Sequence, residues 1–469
     1  MRYVSKNKVL YLIIYITIAI VLSYVIYMPD LETNSINSFT VLSIVAIFQL
    51  MLTLYYFKIF KIRIFSPIGL FTIFLFLFSF GQVLLKGLLS NYEFQLFDLS
   101  KFVSHYSLIS VIRYSLIIIF LFTLGALLSS VNTKSVETKK ENLHDKQYKY
   151  CKPIGLALLL ISVPPMMYID IKTIQASFSG GYHSIFYLGI PSIYGSLADF
   201  FLPAVILLLF YYKKNISICR FILVFSVAYK LFTMLGGQRG YAMIFIITLI
   251  YIYYKSIESI SIFNKIKYWV GGLLVLAFLN TIKDIRGIQD KGLSLIIESF
   301  NYAISNNIVF RAFEEFGSTL FTNVLVFDYY PKVLTHLYGI SYLASIFTIL
   351  PNIGGIVTHI VDKYRWAEQL SMLQPGIGGS FIGELYVNFG YSSFFIAIVI
   401  GWILCRLSKK YEQAIICNDY FSVAIYSITF CYSLLWVRGS FEMLVRSTVW
   451  TLLTVYGLYM IFKGISRKT

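Results

Sequence analysis

Six arginines carry the clearest chemical signal in this chain: Arg239, Arg286, Arg311, Arg365, Arg438 and Arg446. A guanidinium is planar, keeps its charge when water is withdrawn, and grips phosphate or carboxylate oxygens through parallel N–H groups, which a lysine ammonium does less well. Each of the six stands near the end of an apolar stretch or in the long segment between two of them. As a group they predict a pocket for a polyanion at a membrane surface. Taken one at a time, each also reads as a side chain reaching lipid headgroups or pairing with a nearby acid. Arg239 is the sharpest case. It interrupts "TMLGGQRGYAMIFIITLIYIYYK" (233–255), accompanied by Gly236, Gly237, Gln238, Gly240 and Tyr241. At mid-bilayer an arginine costs about 2.5–3.5 kcal/mol on insertion scales. Its head is therefore expected at the membrane surface, where an anionic headgroup would meet the charge and the glycines would let a ligand approach the backbone.

A second dense stretch is "RWAEQLSMLQPGIGGSFIGELYVNFGY" (365–391). Arg365 leads into Pro375, Gly376, Gly378 and Gly379, then into a helix that carries Glu384. Glycine-rich backbone at a helix start can hold phosphate through its N–H groups. A lone carboxylate in apolar surroundings is suited to work as a general base; a salt bridge from Glu384 to one of the arginines is the competing reading. Of the histidines His105, His183, His336 and His359, the last lies six residues before Arg365 and is the second candidate for proton transfer. The acids Glu314, Glu315, Asp328 and Glu442 are expected as arginine partners, and Tyr329, Tyr330, Trp366 and Tyr386 as rings able to stack on sugars. There is no Walker A loop, no HExxH, no GxSxG and no aspartate cluster in the sequence. The chemistry must then draw on an already activated substrate, with no metal or cofactor expected.

These residues have to be positioned by membrane helices. The chain has 469 residues, 58% hydrophobic and 13% charged, against about 25% charged in a soluble fold. Apolar stretches close to bilayer-crossing length recur at 9–28, 39–57, 66–85, 106–128, 153–168, 198–212, 219–235, 240–254, 268–284, 387–405, 420–437 and 443–462. The expected fold is an all-α polytopic membrane protein of about twelve transmembrane helices. Alternate loops and the two termini, with the adjoining helix-end Arg220, hold 24 lysines and arginines, while the short loops between them, with the helix-end Arg446, hold six. That asymmetry predicts both termini in the cytoplasm, and it accounts for the net charge of +17 without nucleic acid. The first run is longer than a signal-peptide core and has no small-x-small cleavage site, so it is expected to stay as the first helix. The five cysteines have no zinc-ligand spacing, and none falls in an outer loop. Three regions follow: 1–284 with helices one to nine, a large outer loop at 285–386 built of short amphipathic helices, and 387–469 with helices ten to twelve. Within the loop, "YGISYLASIFTIL" (338–350) is too short to cross comfortably and reads as re-entrant or interfacial.

With these features in place, the chain resembles the Wzy-type O-antigen or oligosaccharide repeat-unit polymerases. The resemblance is carried by "LGGQRGYAMIFIITLI" at a helix hairpin, by "GGSFIGELYVNFGYSSFFIAIVIG" leading into a late helix, by the Arg365-x10-Gly376 spacing and by the long late loop. The loop at 169–197 lacks arginine, so a second copy of the spacing is not found there. The resemblance implies a glycosyltransferase of GT-C-like architecture in the bacterial inner membrane. It would move a growing glycan from undecaprenyl pyrophosphate to the terminal sugar of a lipid-linked repeat unit, at the periplasmic face. Pyrophosphate would be the leaving group and the six arginines its ligands, with Glu384 or His359 taking the acceptor proton. Membrane lipids, a chain-length regulator and a flippase are the implied partners. A lipid-linked oligosaccharide flippase and an O-antigen ligase remain the alternatives.

Overall fold

The computed structural model describes residues 6–28, 35–89, 92–95, 97–131, 143–237, 239–258, 262–288, 292–350, 352, 355–374 and 377–466. Gln238, Pro375, Gly376 and the lysine-rich stretch at 132–142 lie outside the described residues. Among the described residues every regular element is helical, and nine segments are long and apolar enough to cross a membrane by length and composition. The expected spans fall in order on Lys6–Ile26, Ser35–Ile59, Pro67–Leu88, His105–Val131, Leu143–Gly180, Ser192–Ala198 with Phe201–Tyr211, Ile216–Thr233, Arg239–Ser256, Ile262–Ile285, Ser393–Ile416, Tyr420–Trp436 and Phe441–Ile465. The chain is an all-helical, multi-pass membrane protein.

Three boundaries differ from the sequence reading, each for a local reason. Leu143–Gly180 is a single 38-residue helix that passes through Pro153, Pro164 and Pro165. A proline inside a helix removes one hydrogen bond and crowds the carbonyl four residues back. Here the loss is offset by packing: Gly155 lets the Phe201–Tyr211 helix approach, so that a Cβ at Gly155 would stand 3.0 Å from Leu208. The expected span at 198–212 is broken at Asp199 and Phe200. Pro203 cannot donate to the Asp199 carbonyl four residues earlier and clashes with it, which ends one helix and starts another. The tenth span begins earlier, as the short helix Phe381–Phe389, and restarts after a turn at Gly390, whose φ of 53° favours glycine. Between residues 285 and 386 the chain forms Leu293–Ser305, Ile308–Gly317, Leu320–Tyr329, Ile340–Phe347, Ile356–Val361 and Trp366–Leu373 before reaching Phe381. The run at 338–350 contributes only the eight-residue helix Ile340–Phe347.

The chain divides into two compact units. One comprises Met1–Glu137, Phe313–Lys410 and Trp436–Arg446. In it the largely buried helix His105–Val131 packs backbone to backbone on Ser393–Ile416. A Cβ at Gly125 would lie 2.0 Å from the Ile398 carbonyl oxygen, and one at Gly401 2.0 Å from that of Phe122. On this frame Phe71, Phe122, Phe381 and Trp436 form a contiguous set of ring contacts, with centroids 4.9–5.9 Å apart. The other unit comprises Thr138–Ala312, Tyr411–Leu435 and Ser447–Thr469. In it, Met234, Ala242, Ile246, Leu279, Ile282 and Ile285 form a buried cluster that joins the Met234–Gly236 turn to the helices Arg239–Ser256 and Ile262–Ile285.

The double glycine contact yields a stability prediction. Gly401→Leu must move a helix backbone, which exceeds the ~1–3 kcal/mol of ordinary core overpacking. Purification of a fluorescent fusion should show loss of the monodisperse protein, whereas Gly457→Ala, where nothing lies within 4 Å of the added Cβ, should behave as the parent.

Candidate functional site

Glu384 is one of two fully enclosed acids in the first unit, with Glu314. Ser380 caps the Phe381–Phe389 helix by accepting from the Gly383 N–H, and Glu384 occupies the helix's first turn at 1% exposure. Its Oε2 accepts from the Trp436 indole N–H at 2.5 Å and from the Phe441 N–H at 3.1 Å. Phe441 opens the Phe441–Ile465 helix, so the carboxylate sits on an unpaired helix N-terminus, where negative charge is favoured. The approach depends on two glycines: a Cβ on Gly379 would stand 2.5 Å from the Gly439 carbonyl oxygen. The competing expectation of a salt bridge from Glu384 to an arginine is not met. The arginine goes to the neighbouring acid instead.

Arg365 places Nε and Nη2 on the two carboxylate oxygens of Glu442, at 3.1 and 2.8 Å, and Nη1 on Asp362 at 2.8 Å, with Glu368 3.5 Å away. Burial alone would lower its pKa; Glu442, Glu368 and Asp362 outweigh that and hold the guanidinium above its ordinary value. Arg438 is exposed. Arg446 is half-buried, and its Nε is enclosed without a hydrogen-bond partner. His359 is exposed on the six-residue helix Ile356–Val361. His336 is the more engaged imidazole, with Nδ1 3.2 Å from the Val387 carbonyl and Tyr330 and Tyr386 as ring neighbours.

The second unit holds the other three arginines. Arg239 is the first residue of its helix and is only 9% exposed; its Nη1 donates to the Leu279 carbonyl at 2.7 Å. The turn before it depends on Gly237, with φ of 91°, packed under the Tyr182 ring. Arg286 lies over the same ring at 4.9 Å, and the Tyr182 N–H donates to the Arg286 carbonyl. Arg311 is 2% exposed. Its Nη2 pairs with Asp284 at 2.7 and 2.9 Å, and its guanidinium stands over Tyr302 at 5.3 Å. Its Nε and Nη1 have no hydrogen-bond partner. An enclosed guanidinium with two unmet nitrogens is costly.

Two expected arginine partners have other work. Glu314 accepts from the backbone N–H groups of Gln95 and Phe97 and from the Tyr92 hydroxyl, and so anchors the segment after the third helix. Asp328 accepts from Ser107. Of the acids named as arginine partners, Glu442 meets Arg365, while Asp284, which the sequence reading passed over, meets Arg311. That reading also missed a polar group around Asp199, Lys230 and Asp170, whose members are scattered over several helices and share no motif. The available signal was the lysine inside an apolar span. Among the described residues no three His, Cys, Asp or Glu side chains are grouped to hold a metal.

Helices of bilayer-crossing length define a polytopic membrane protein. The chain belongs to the O-antigen polysaccharide polymerase Wzy family, whose model matches residues 9–469. No curated protein and no solved structure matches the chain. It is a membrane enzyme of polysaccharide assembly, acting on lipid-linked oligosaccharide repeat units.

The geometry around Glu384 predicts a structural role that can be measured. Glu384→Ala leaves the Trp436 and Phe441 N–H groups enclosed and unmet, at about 1–3 kcal/mol for each buried group. Detergent-solubilised Glu384→Ala should melt well below the parent, and Glu384→Gln, which retains an acceptor oxygen, should melt between the two. Equal melting of all three would remove the role.

Proposed function

We propose that this polymerase transfers a growing glycan from undecaprenyl pyrophosphate to the terminal sugar of a lipid-linked repeat unit at the periplasmic face of the bacterial inner membrane. Lipid diphosphate is the leaving group. The observation that carries this reading is Arg311: a guanidinium 2% exposed, paired to Asp284 through one nitrogen, with two nitrogens unmet. Arg239 and Arg286 belong to the same unit. Preorganised cations of this kind stabilise charge that builds on a departing diphosphate. Arg365, Arg438 and Arg446 belong to the other unit, and there Arg365 already answers three carboxylates. An incoming diphosphate would have to displace those carboxylates, so the second unit's arginines are the stronger ligands. The loop at 285–386 is assigned to the periplasm, with the helices before and after it in the membrane. A chain-length regulator and a flippase would act beside it.

Arg311→Met and Arg239→Ala should each lower chain growth at least ~100-fold, the loss typical of one transition-state donor, while inserted protein remains at parental level. The readout is the lipopolysaccharide ladder in a deletion strain complemented with each variant: one repeat on the lipid core is expected. A full ladder from Arg311→Met would remove the diphosphate site, and no repeat at all in the deletion strain would assign the chain to ligation or flipping instead.

A further inference from the structure

The second unit contains a group of ionisable side chains that the diphosphate site does not use. Asp199 stands in the break that Pro203 imposes between Ser192–Ala198 and Phe201–Tyr211. Three hydroxyls from three other helices donate to it. Tyr432 and Tyr241 reach Oδ1, the latter at 3.3 Å, and Ser447 reaches Oδ2 at 2.6 Å. Tyr241 is also one wall of a box around Lys230. The Lys230 Nζ lies 5.2–5.6 Å from the ring centroids of Phe201, Tyr229, Tyr241 and Phe245. Lys230 is 4% exposed, and Met166 Sδ, at 3.5 Å, is its hydrogen-bond acceptor. The hydroxyl of the other tyrosine in the box reaches a second acid: Tyr229 donates to Asp170 Oδ2 at 2.6 Å. Thus the enclosed Lys230 amine stands among four ring faces, in the electrostatic field of Asp170 and Asp199. Ionisable groups kept inside membrane helices at such cost mark functional positions.

The two carboxylates are not equivalent. Both are half-buried, but Asp170 is held by the hydroxyl of Tyr229, whereas Asp199 is held by hydroxyls from three helices. One of those helices is the Arg239–Ser256 helix, where Tyr241 follows Arg239 by two positions. Asp199 is therefore a half-buried acid with a fixed orientation, held in part by a tyrosine two positions after a proposed diphosphate ligand. The other proton acceptors are less suited. Glu384 is 1% exposed and committed to Trp436 and Phe441, and His359 is exposed on a six-residue helix.

We propose that Asp199 is the catalytic base of the transfer, an inference that rests on the polymerase reading above. As the acceptor sugar's hydroxyl oxygen attacks the anomeric carbon of the donor, its proton passes to an Asp199 carboxylate oxygen. The bond from the anomeric carbon to the diphosphate oxygen breaks, and its electron pair leaves with the lipid diphosphate. Asp199 then returns the proton to solvent. Tyr241, Tyr432 and Ser447 fix the direction of the carboxylate, and Lys230 holds the rings that carry two of the acids' donors.

The test uses the full chain in proteoliposomes with a synthetic polyprenyl-diphosphate-linked repeat unit. Asp199→Asn is close to isosteric: its amide oxygen can still accept from Tyr432 and Tyr241, and its NH2 can donate to the Ser447 hydroxyl oxygen. Its turnover should fall at least ~100-fold, the range of general-base catalysis, with unchanged melting and unchanged binding of the lipid diphosphate. Tyr432→Phe keeps the carboxylate and should retain measurable turnover with an altered pH profile. Turnover of Asp199→Asn within a few-fold of the parent overturns the inference and leaves the diphosphate site standing. Loss of melting temperature or of lipid binding in Asp199→Asn assigns the residue to the scaffold and also overturns it. A parent protein that binds the lipid but never extends it overturns the polymerase reading, and the base with it.

Discussion

A charge drawn into an apolar protein has to be met by something, and this chain meets its charges in several different ways. Arg365 is met by three carboxylates, Arg239 by a backbone carbonyl, Arg311 by Asp284, and Lys230 by four ring faces. The penalty for leaving such a group unmet is several kcal/mol, so each solution dictates which helices must lie together. Asp284 and Arg311 link the Ile262–Ile285 helix to the Ile308–Gly317 helix. Glu384 links the Phe381–Phe389 helix to the start of Phe441–Ile465.

This view separates the arginines by what is left over once the internal partners are counted. Arg365 has its three nitrogens directed at acids. Arg311 has two nitrogens without a partner at 2% exposure. A guanidinium of the first kind holds a fold together; one of the second kind is set up for a ligand that brings its own negative charge, as a diphosphate does. Membership of the O-antigen polymerase family supplies the class of reaction, and the unmet nitrogens carry the proposal for where its leaving group is received.

Glycine and proline shape the same regions by opposite means. Gly379, Gly125 and Gly401 remove atoms so that backbones can touch. Pro203 removes a hydrogen bond so that a helix must stop, and the residue at that stop is Asp199.

How much of this was legible in the sequence follows from range. Span positions, helical class and membrane residence are set by local composition and by the length of apolar runs, and the helices fall where those runs lie. The six arginines and Glu384 stood out because each is a polar group in an apolar neighbourhood, a property of a few adjacent residues. Partner choice was not legible. Glu442 for Arg365, Asp284 for Arg311 and the Trp436 indole for Glu384 are separated along the chain by 77, 27 and 52 positions, and nothing local distinguishes them from Glu314 or Asp328. The Asp199 group draws on residues from 170 to 447, and only packing brings them together. Composition decides that a helix crosses and roughly where it ends; which helices touch, and so which charges meet, depends on side-chain volumes and close backbone contacts distributed over the whole chain, and that was decided by the tertiary structure.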